Sequence, residues 1–306
     1  MTTSAALTGV SPQMRPARVC ALLTTFNRRE HTLACLQALE ASGRAAAVRL
    51  DAIVVDDASR DGTPGGIASA FPWVRVVSGS GDLFWCRGMH RAFDEALRVG
   101  FDHYLWLNDD TMLAEGAVKT LLECAALLER ATGSPAIVVG STADPDTGRH
   151  TYGGELRPYR LRPLRVQPIL PAREAQRCDS MAGNIVLVPA AVAARVGNLD
   201  SAFEHAMGDT DYALRACRAG VGIWVAPGVL GACRANGIAG TYRDATLSLR
   251  QRWRLMQQRK GLPWRSWVHF VRRHGGVLWP IHFAWPYLRL VVGAAVTRRA
   301  DSEPAP

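Results

Sequence analysis

Two adjacent carboxylates, Asp109 and Asp110, follow the apolar run Leu-Trp-Leu-Asn and could hold a metal ion. Carboxylate oxygens are the ligands that bind Mg²⁺ or Mn²⁺ and bridge the ion to substrate phosphates. The alternative is that Asp110 caps a helix predicted at 114–128. The dipeptide alone leaves both interpretations open.

A second pair, Asp56 and Asp57, follows the apolar run 52–55. These carboxylates could hydrogen-bond the base and ribose of a nucleoside. A turn over residues 57–62 explains them equally well, because Asp, Ser and Gly are typical turn residues. Residues 24–28, Thr-Thr-Phe-Asn-Arg, end an earlier apolar run and could likewise cap a helix.

A third pair, Asp209 and Asp211, lies in a polar interruption before a predicted helix. One of them could act as a general base for a hydroxyl nucleophile, provided that it lies within hydrogen-bond reach of the proton. Asp211 is better explained by an ion pair with Arg215, four residues further along the helix. Asp209 has no such partner in the sequence, so we predict that Asp209 is the base.

The elements that would position these clusters alternate between strands and helices. Apolar runs at 19–24, 52–55, 74–77, 104–107 and 184–188 predict strands. Helical patterns occur at 89–99, 190–196 and 212–219, and on the face of Leu33, Leu36 and Leu39, where Gly43 would end the helix. Residues 141–177 are predicted to be loops and short strands at a substrate rim. The pattern predicts an α/β fold with parallel strands, whose ligands bind at the strands' carboxyl ends.

Four of these motifs, in their order and spacing over residues 19–220, resemble a family 2 glycosyltransferase of the GT-A fold, a Rossmann-like sheet with flanking helices. They are Thr24-Thr25-Phe26-Asn27-Arg28, Val54-Val55-Asp56-Asp57-Ala58-Ser59-Arg60-Asp61-Gly62-Thr63, Leu107-Asn108-Asp109-Asp110, and Gly208-Asp209-Thr210-Asp211 with Arg215. Gly81-Asp82-Leu83-Phe84-Trp85 and the Trp-Leu-Asn-Asp-Asp run are similar to the rhamnosyltransferase-like members of bacterial cell-surface polysaccharide pathways.

The resemblance implies an inverting enzyme that moves a sugar from a nucleotide diphosphate donor, a UDP- or dTDP-sugar, to an acceptor hydroxyl. The acceptor would be a glycan or a lipid-linked glycan, and the cofactor Mg²⁺ or Mn²⁺. The alternatives are a sugar nucleotidyltransferase and a non-catalytic nucleotide-sugar-binding protein. The first would carry a Gly-rich phosphate loop after the first strand, which residues 24–28 are not.

The resemblance also implies a role for each matching residue. The donor-binding residues would be Thr24, Phe26 and Asp57 at the nucleoside, Arg28 near the diphosphate, and Asp109 at the ribose or a metal-bound water. Asp110, with Asp109, would form the metal site, and Asp209 would be the catalytic base. Gly183 and Asp211 would lie on the acceptor side.

The chain departs from the family pattern in three places. The metal motif is Asn-Asp-Asp rather than Asp-x-Asp, and Gly208 stands where Glu is common. Residues 231–234, Gly-Ala-Cys-Arg, offer no late His ligand. These departures imply that a metal ion binds weakly until the donor diphosphate supplies oxygens.

The positive charge is concentrated at the C-terminal end. The 306 residues carry a net charge of +9, and residues 241–306 alone hold twelve Lys and Arg against three Asp and Glu. A basic segment on a neutral domain indicates a docking surface rather than a nucleic-acid-binding protein. We therefore predict a disordered leader at 1–17, a catalytic domain at 18–240, and a basic, aromatic helical extension at 241–306. Within the catalytic domain, 18–110 would be the nucleotide-binding half and 111–240 the acceptor half.

The extension has features of a membrane interface. Five of the nine tryptophans fall between residues 253 and 285, beside arginines, a pairing typical of a membrane surface. The apolar run 277–296 is interrupted by Pro280 and Pro286, so we expect it not to span a bilayer. The alternative is that the helices pack on the catalytic domain or on a second subunit. Seven scattered cysteines and no signal pattern favour a cytoplasmic protein, peripheral on the inner membrane.

Overall fold

The computed structural model describes residues 15–159, 162 and 164–300 and forms twelve strands and nine α-helices within them. The strands are β1 (Arg18–Thr25), β2 (Arg49–Asp56), β3 (Val74–Ser78), β4 (His103–Leu107), β5 (Met112–Leu113), β6 (Ile137–Ala143), β7 (Gly154–Leu156), β8 (Gln167–Pro168), β9 (Gln176–Cys178), β10 (Ser180–Met181), β11 (Ile185–Pro189) and β12 (Ile223–Ala232). The helices are α1 (Arg29–Ala45), α2 (Thr63–Ala70), α3 (Phe84–Val99), α4 (Ala117–Thr132), α5 (Ala190–Val196), α6 (Gly208–Arg218), α7 (Leu249–Met256), α8 (Trp264–His274) and α9 (Trp279–Ala300), with a 3₁₀ turn at Gly276–Leu278.

A mostly parallel sheet forms the centre of the molecule, with strand order β3-β2-β1-β4-β11-β6-β12-β5, and β9 pairs with β12 beside it. Strands β3, β2, β1 and β4 are parallel, whereas β11 is antiparallel to both β4 and β6. A second, small sheet has the order β10-β7-β8. The predicted α/β class is confirmed.

Alternating side chains of the strands feed two cores, one on each face of the sheet. In β1, Val19, Ala21 and Leu23 point to the face covered by α1, α2 and α4. Cys20 and Leu22 point to the opposite face, which α3, α5, α6 and α8 cover. Because both faces of the sheet are covered, its strands are apolar throughout and the polar clusters are left at the strand ends.

Several helix boundaries differ from the sequence-based expectation. Helix α1 continues past Gly43, because this glycine serves close packing: a Cβ there would lie 2.6 Å from Cδ2 of Leu50. Helix α4 begins only after Gly116, since residues 112–113 first pair with β12 as strand β5. The alternative that Asp110 caps this helix is therefore wrong.

The first described residues are attached to the folded chain. Arg15 pairs with Asp102 at 2.8 Å, and the backbone N–H of Arg49 donates to the carbonyl of Ala17 at 3.0 Å. The predicted disordered leader therefore does not extend to residue 17, and its residues 1–14 lie outside the described part.

Helix α8 of the C-terminal extension packs into the core formed by residues 18–240. Trp267, Phe270 and Val271 are buried in the same cluster as residues of β1, α3 and α6. Trp264 of the same helix is 53% exposed. The alternative that the helices of the extension pack on the preceding domain is thus correct for one face of α8.

Helix α9 runs from Trp279 to Ala300 with Pro286 inside it. The prolines therefore interrupt the apolar run without ending the helix. Pro280 lies in the first turn, where proline is tolerated because its missing N–H would have had no helical partner. Within the described residues, no helix is long and apolar enough to cross a membrane.

Candidate functional site

The polar clusters meet at the carboxyl edge of the sheet, on the loops after β1, β2, β3 and β4 and at the start of α6. Four of the five non-glycine residues with positive φ in the described chain lie on these loops: Asn27 (50°), Ala58 (63°), Phe84 (56°) and Met207 (74°). A left-handed backbone costs about 1–2 kcal/mol per non-glycine residue. Such strain persists where surrounding contacts enforce it, and it clusters at functional sites.

The loops after β1 and β2 are hydrogen-bonded to each other. The N–H of Asn27 donates to Oγ of Ser59 at 2.8 Å, and the N–H of Arg60 donates to Oδ1 of Asn27 at 2.7 Å. Asp61 accepts the N–H of Arg29 at 3.0 Å and so caps α1 from the neighbouring loop. Within the described chain α1 has no N-cap side chain of its own, so the interpretation of 24–28 as a helix cap is wrong.

Asp57 orders the loop that follows β3. Its buried carboxylate accepts the backbone N–H groups of Gly81, Leu83 and Phe84 at 2.7, 2.8 and 3.1 Å. The turn that follows β2 depends instead on Asp56, which accepts the N–H of Ser59 at 3.0 Å. Asp57 thus shapes one wall of the site, and its nucleoside contact stays a prediction.

The other two residues predicted at the nucleoside lie on the end of β1. Phe26 is 51% exposed and presents its ring to solvent beside the cleft. Thr24 packs closely on α3: a Cβ added to Gly88 would lie 2.2 Å from its Oγ1. Thr24 therefore fixes the distance between β1 and α3, while Phe26 is free to meet a ligand.

Arg28 binds both members of the carboxylate pair. Its guanidinium donates to Oδ1 of Asp109 at 3.2 Å and to Oδ2 of Asp110 at 2.8 Å. Asp109 is 5% exposed, and burial raises its pKa to about 6, although the charge of Arg28 opposes this shift. A positive group therefore already lies where the resemblance places a metal ion.

The carboxylate pair fits a divalent ion that is shared with a substrate. Oδ2 of Asp109 is buried and has no hydrogen-bond partner among the described residues. No group of three or more His, Cys, Asp or Glu side chains in that part of the chain could hold an ion alone. Two neighbouring carboxylates, one of them with an unpartnered oxygen, match the binding of Mg²⁺-like ions, which take their other ligands from phosphates and water.

Cys233 lies beside the carboxylate pair, at the end of β12. Its thiol donates to Oδ1 of Asp110 at 3.7 Å, and Nδ2 of Asn184 donates to its sulfur at 3.5 Å. Burial, followed by the charge of Asp110, raises the pKa of this thiol to about 11. The position where the resemblance would place a His ligand thus carries a protonated thiol. Sequence reasoning missed the contact because 123 residues separate Cys233 from Asp110.

Asp209 lies in the first turn of α6 and its carboxylate is held by two backbone N–H groups. Gly183 donates to Oδ2 at 3.0 Å and Thr210 donates to Oδ1 at 2.8 Å. Burial raises the pKa of Asp209, and these hydrogen bonds lower it in part. A partly buried carboxylate with a raised pKa is a suitable general base.

Trp85 connects the predicted base to the carboxylate pair. A Cβ on Gly183 would lie 2.4 Å from the ring of Trp85, so only glycine fits between this ring and Asp209. The indole N–H of Trp85 donates to Oδ1 of Asn108 at 2.7 Å. The structure therefore brings Asp209, Gly183 and Asn108, the residue before Asp109, to one cleft.

Gly208, the residue before Asp209, stands where the family pattern commonly has Glu, and close packing explains why. A Cβ on Gly208 would lie 2.2 Å from Sγ of Cys86 in α3. The neighbouring backbone N–H of Cys86 donates to the carbonyl of Glu204 at 3.0 Å. Helix α3 thus approaches the start of α6 so closely that a side chain at 208 has no room.

Asp211 does not lie on the acceptor side, which corrects the expectation. It is fully buried, and its carboxylate contacts Nε of Arg215 at 2.8 Å, NH1 of Arg273 at 2.9 Å and Nε2 of His274 at 2.7 Å. Burial favours a higher pKa, but hydrogen bonds from these partners outweigh it and lower the pKa of Asp211 to about 2. The predicted Arg215 pair is present, whereas the two partners from α8 were not predicted. Asp211 anchors α8 to α6.

Comparison with known proteins identifies the fold. No known protein family matches the sequence, and no curated protein matches it. The mannosyltransferase PcManGT from Pyrobaculum calidifontis, solved with GDP-Man and Mn²⁺, is similar with a TM-score of 0.55 and 18% identity over 96% of this chain and 78% of that one. TarS of S. aureus is similar with a TM-score of 0.50 and 10% identity over 83% of this chain, which spans 42% of TarS. The chain therefore shares the fold of a glycosyltransferase.

Proposed function

We propose that this protein is an inverting glycosyltransferase that moves a sugar from a UDP- or dTDP-sugar to an acceptor hydroxyl. The observation that carries the proposal is the chain of contacts from Asp209 through Gly183 and Trp85 to Asn108, the residue before Asp109. Asp211, the other acid of that segment, is buried and paired with Arg215 and Arg273, which leaves Asp209 available as a base. A single base without a carboxylate nucleophile supports direct displacement and hence inversion.

The donor would bind across the loops after β1, β2 and β4. Phe26 offers an exposed ring for a nucleobase to stack on, and aromatic rings stack well on flat π-systems. Asp57 and Thr24 would shape the nucleoside pocket. Arg28 would meet the diphosphate, because a guanidinium binds phosphate oxygens with two parallel hydrogen bonds.

Asp110 and Asp109 would hold Mg²⁺ or Mn²⁺ together with oxygens of the donor diphosphate. When bound, the ion neutralises the negative charge that gathers on the leaving diphosphate. The unpartnered oxygen of Asp109 supports this arrangement, as does the Mn²⁺ of the similar mannosyltransferase. Arg28 would supply a second positive charge on the same group.

The transfer itself would be a single displacement. The acceptor hydroxyl gives its proton to the carboxylate of Asp209 while its oxygen forms a bond to the anomeric carbon. The bond from that carbon to the diphosphate breaks on the opposite face, and its electron pair leaves with the nucleoside diphosphate. The raised pKa of Asp209 makes this carboxylate a stronger base than a solvated aspartate.

The extension supports an acceptor at a membrane, such as a lipid-linked glycan of a cell-surface polysaccharide pathway. Ile281 and Trp285 of α9 are both 61% exposed, and twelve basic residues lie beyond residue 240. Each Lys or Arg near an anionic leaflet contributes about 1 kcal/mol, and salt screens this attraction. We propose peripheral binding to the cytoplasmic face of the inner membrane, tested as salt-sensitive binding to anionic vesicles.

A donor screen tests the proposed activity. Full-length protein is titrated with a panel of nucleotide sugars with and without Mn²⁺ or Mg²⁺, and release of nucleoside diphosphate is followed in the presence of glycan acceptors. We expect one donor to bind saturably in a metal-dependent manner and to turn over, with NMR of the product showing the opposite anomer. Formation of a nucleotide sugar and pyrophosphate from a nucleoside triphosphate and a sugar 1-phosphate, in a parallel incubation, would favour a nucleotidyltransferase. Binding without turnover would favour a non-catalytic sugar-nucleotide-binding protein.

A further inference from the structure

An open apolar groove lies on the C-terminal extension, apart from the carboxylate pair. It has a volume of about 830 Å³ between α7, α8 and α9, which is in the range of small-molecule sites. Its walls are mainly the aromatic and aliphatic side chains of Trp253, Trp264, Phe283, Tyr287 and Leu288. We call this feature the apolar groove.

Hydrogen bonds hold the walls of the apolar groove in place. The hydroxyl of Tyr287 donates to the carbonyl of Leu262 at 3.1 Å, and the indole N–H of Trp267 donates to the carbonyl of Phe283 at 3.1 Å. The rings of Trp253 and Tyr287 lie 5.7 Å apart in a tilted pair. The groove is thus formed before any ligand arrives.

A basic hollow of about 660 Å³ adjoins the groove along α8 and shares Trp264 and Arg265 with it. Its other lining residues are Val268, His269, Arg272 and Arg273. Arg273 and His269 pair with Asp200. In the described chain no carboxylate pairs with Arg265 or Arg272, so two guanidinium charges remain for an anionic ligand.

We propose that the apolar groove and the basic hollow form one binding site for an amphiphile, with a hydrocarbon chain in the groove and a phosphate or diphosphate in the hollow. Its occupant would be the lipid-linked acceptor of the proposed glycosyl transfer, on which this inference rests. Apolar walls favour the burial of a chain. Guanidinium groups recognise phosphate geometry.

The position of the site favours an acceptor over a bulk membrane lipid. Glu204 lines the apolar groove, and Asp200 pairs with two residues of the basic hollow. Both belong to the segment that leads into Asp209, the proposed base. An amphiphile held here by its chain and phosphate lies on the same segment as the group that would take a proton from its sugar.

Titration with dodecyl phosphate below its micelle concentration tests this site in full-length protein. We expect saturable binding to one site, and binding weaker by about tenfold or more for dodecanol or inorganic phosphate, since each supplies only half of the contacts. Ala284→Trp should fill the groove, Leu288→Gln should remove an apolar wall, and the double variant Arg265→Gln/Arg272→Gln should remove the phosphate contacts. Each should weaken dodecyl phosphate binding by about tenfold.

Ile281→Gln is the matched control, because Ile281 is an exposed apolar residue of the same helix that does not line the groove. It should leave dodecyl phosphate binding unchanged, and all variants should keep the melting temperature and the donor affinity. Equal weakening by Ile281→Gln would overturn the proposal in favour of nonspecific binding of the hydrocarbon chain to exposed apolar surface. If the protein is a dimer in solution and Ala284→Trp dissociates it, the occupant of the groove is a second copy of the chain, and the proposal is overturned.

The two proposals can fail separately. Sugar transfer to soluble acceptors without any binding of dodecyl phosphate contradicts the amphiphile site and leaves the transferase intact. Conversely, the protein could bind dodecyl phosphate, lose that binding in Ala284→Trp, and yet turn over no nucleotide sugar. This result supports the site and contradicts the proposed function.

Discussion

Replacing Asp209 by Asn removes the proposed base with almost no change in shape. The carboxylate now accepts N–H groups from Gly183 and Thr210, one on each oxygen. An Asn side chain has one acceptor oxygen, so its NH₂ group must face one of these donors. The loss of one charge-assisted hydrogen bond costs about 1.5–3 kcal/mol. Removing a carboxylate whose charge is disfavoured by burial offsets part of this cost, so the free energy of unfolding should fall by less than that.

The effect of Asp209→Asn on the rate should be far larger than a weakened fold explains. General base catalysis contributes about 10²–10⁴-fold. This corresponds to about 2.7–5.4 kcal/mol on the barrier, at about 1.36 kcal/mol per factor of ten. We therefore expect kcat to fall by about 10²–10⁴-fold while the donor Kd stays within about twofold, because the base acts only in the chemical step.

Steady-state transfer, donor titration and thermal melting measure these three quantities. The matched control is Asp179→Asn, because Asp179 also accepts a backbone N–H, from Arg157 at 2.8 Å, and no catalytic role is proposed for it. It should lower the melting temperature to a similar extent and leave kcat close to that of the unmodified protein. Equal losses of kcat in both variants, or a fully active Asp209→Asn, would refute the assignment of Asp209.

The pH dependence of kcat provides a second test of the same residue. Burial raises the pKa of Asp209, and only its deprotonated form can accept a proton. Activity should therefore fall as the pH decreases through a pKa above the usual range of an aspartate. The residual activity of Asp209→Asn should not fall in this way at low pH. If the fall persists in the variant, it reports the titration of another group.

Three further predictions concern the donor side. Asp110→Ala should weaken donor binding and remove its dependence on Mn²⁺, and a donor titration with unchanged metal stimulation would contradict this. Because burial raises the pKa of Asp109 to about 6, protons should compete with the cation, and Mn²⁺-dependent donor affinity should fall from about pH 7 to about pH 5. Gly79→Ala would place a Cβ 2.6 Å from Oδ1 of Asp57, so donor affinity should fall and the free energy of unfolding should drop by about 1–3 kcal/mol. The control Gly65→Ala, whose Cβ meets nothing within 4 Å in the described chain, should keep both quantities close to normal in the same titration and denaturation.

The N-terminal half of the sheet could be predicted because its strands are short, apolar and followed by polar turns. Strand β12 was missed although it runs for ten residues and pairs with β6, β5 and β9. Pro227 and Gly228 interrupt its apolar pattern, and its register with β6 shifts between Val225 and Val229. A strand that bulges in this way loses the period of two on which sequence analysis depends.

Contacts in the site between residues that are close in the sequence could be predicted, whereas contacts between residues far apart in the sequence could not. The pair between Asp211 and Arg215 follows from helical spacing and is present. The contact of His274 with the same carboxylate joins residues 63 positions apart, and nothing in either segment indicates the other. The role of Asp57 in ordering the loop after β3 likewise depends on where that loop folds, which its turn-like sequence does not reveal.

The buried cluster around Asp211 makes the extension and the catalytic unit one thermodynamic system. A chain shortened before α8 would leave this buried carboxylate without Arg273 and His274, with only Arg215 to offset the cost of its burial. Deleting the extension would therefore disturb the turn that carries Asp209, whatever the extension binds. The linkage is reciprocal: a ligand whose affinity depends on the position of α8 must also bias the orientation of α6. A ligand that binds the outer surface of α8 would in this way shift the position of the turn that carries Asp209, the proposed base.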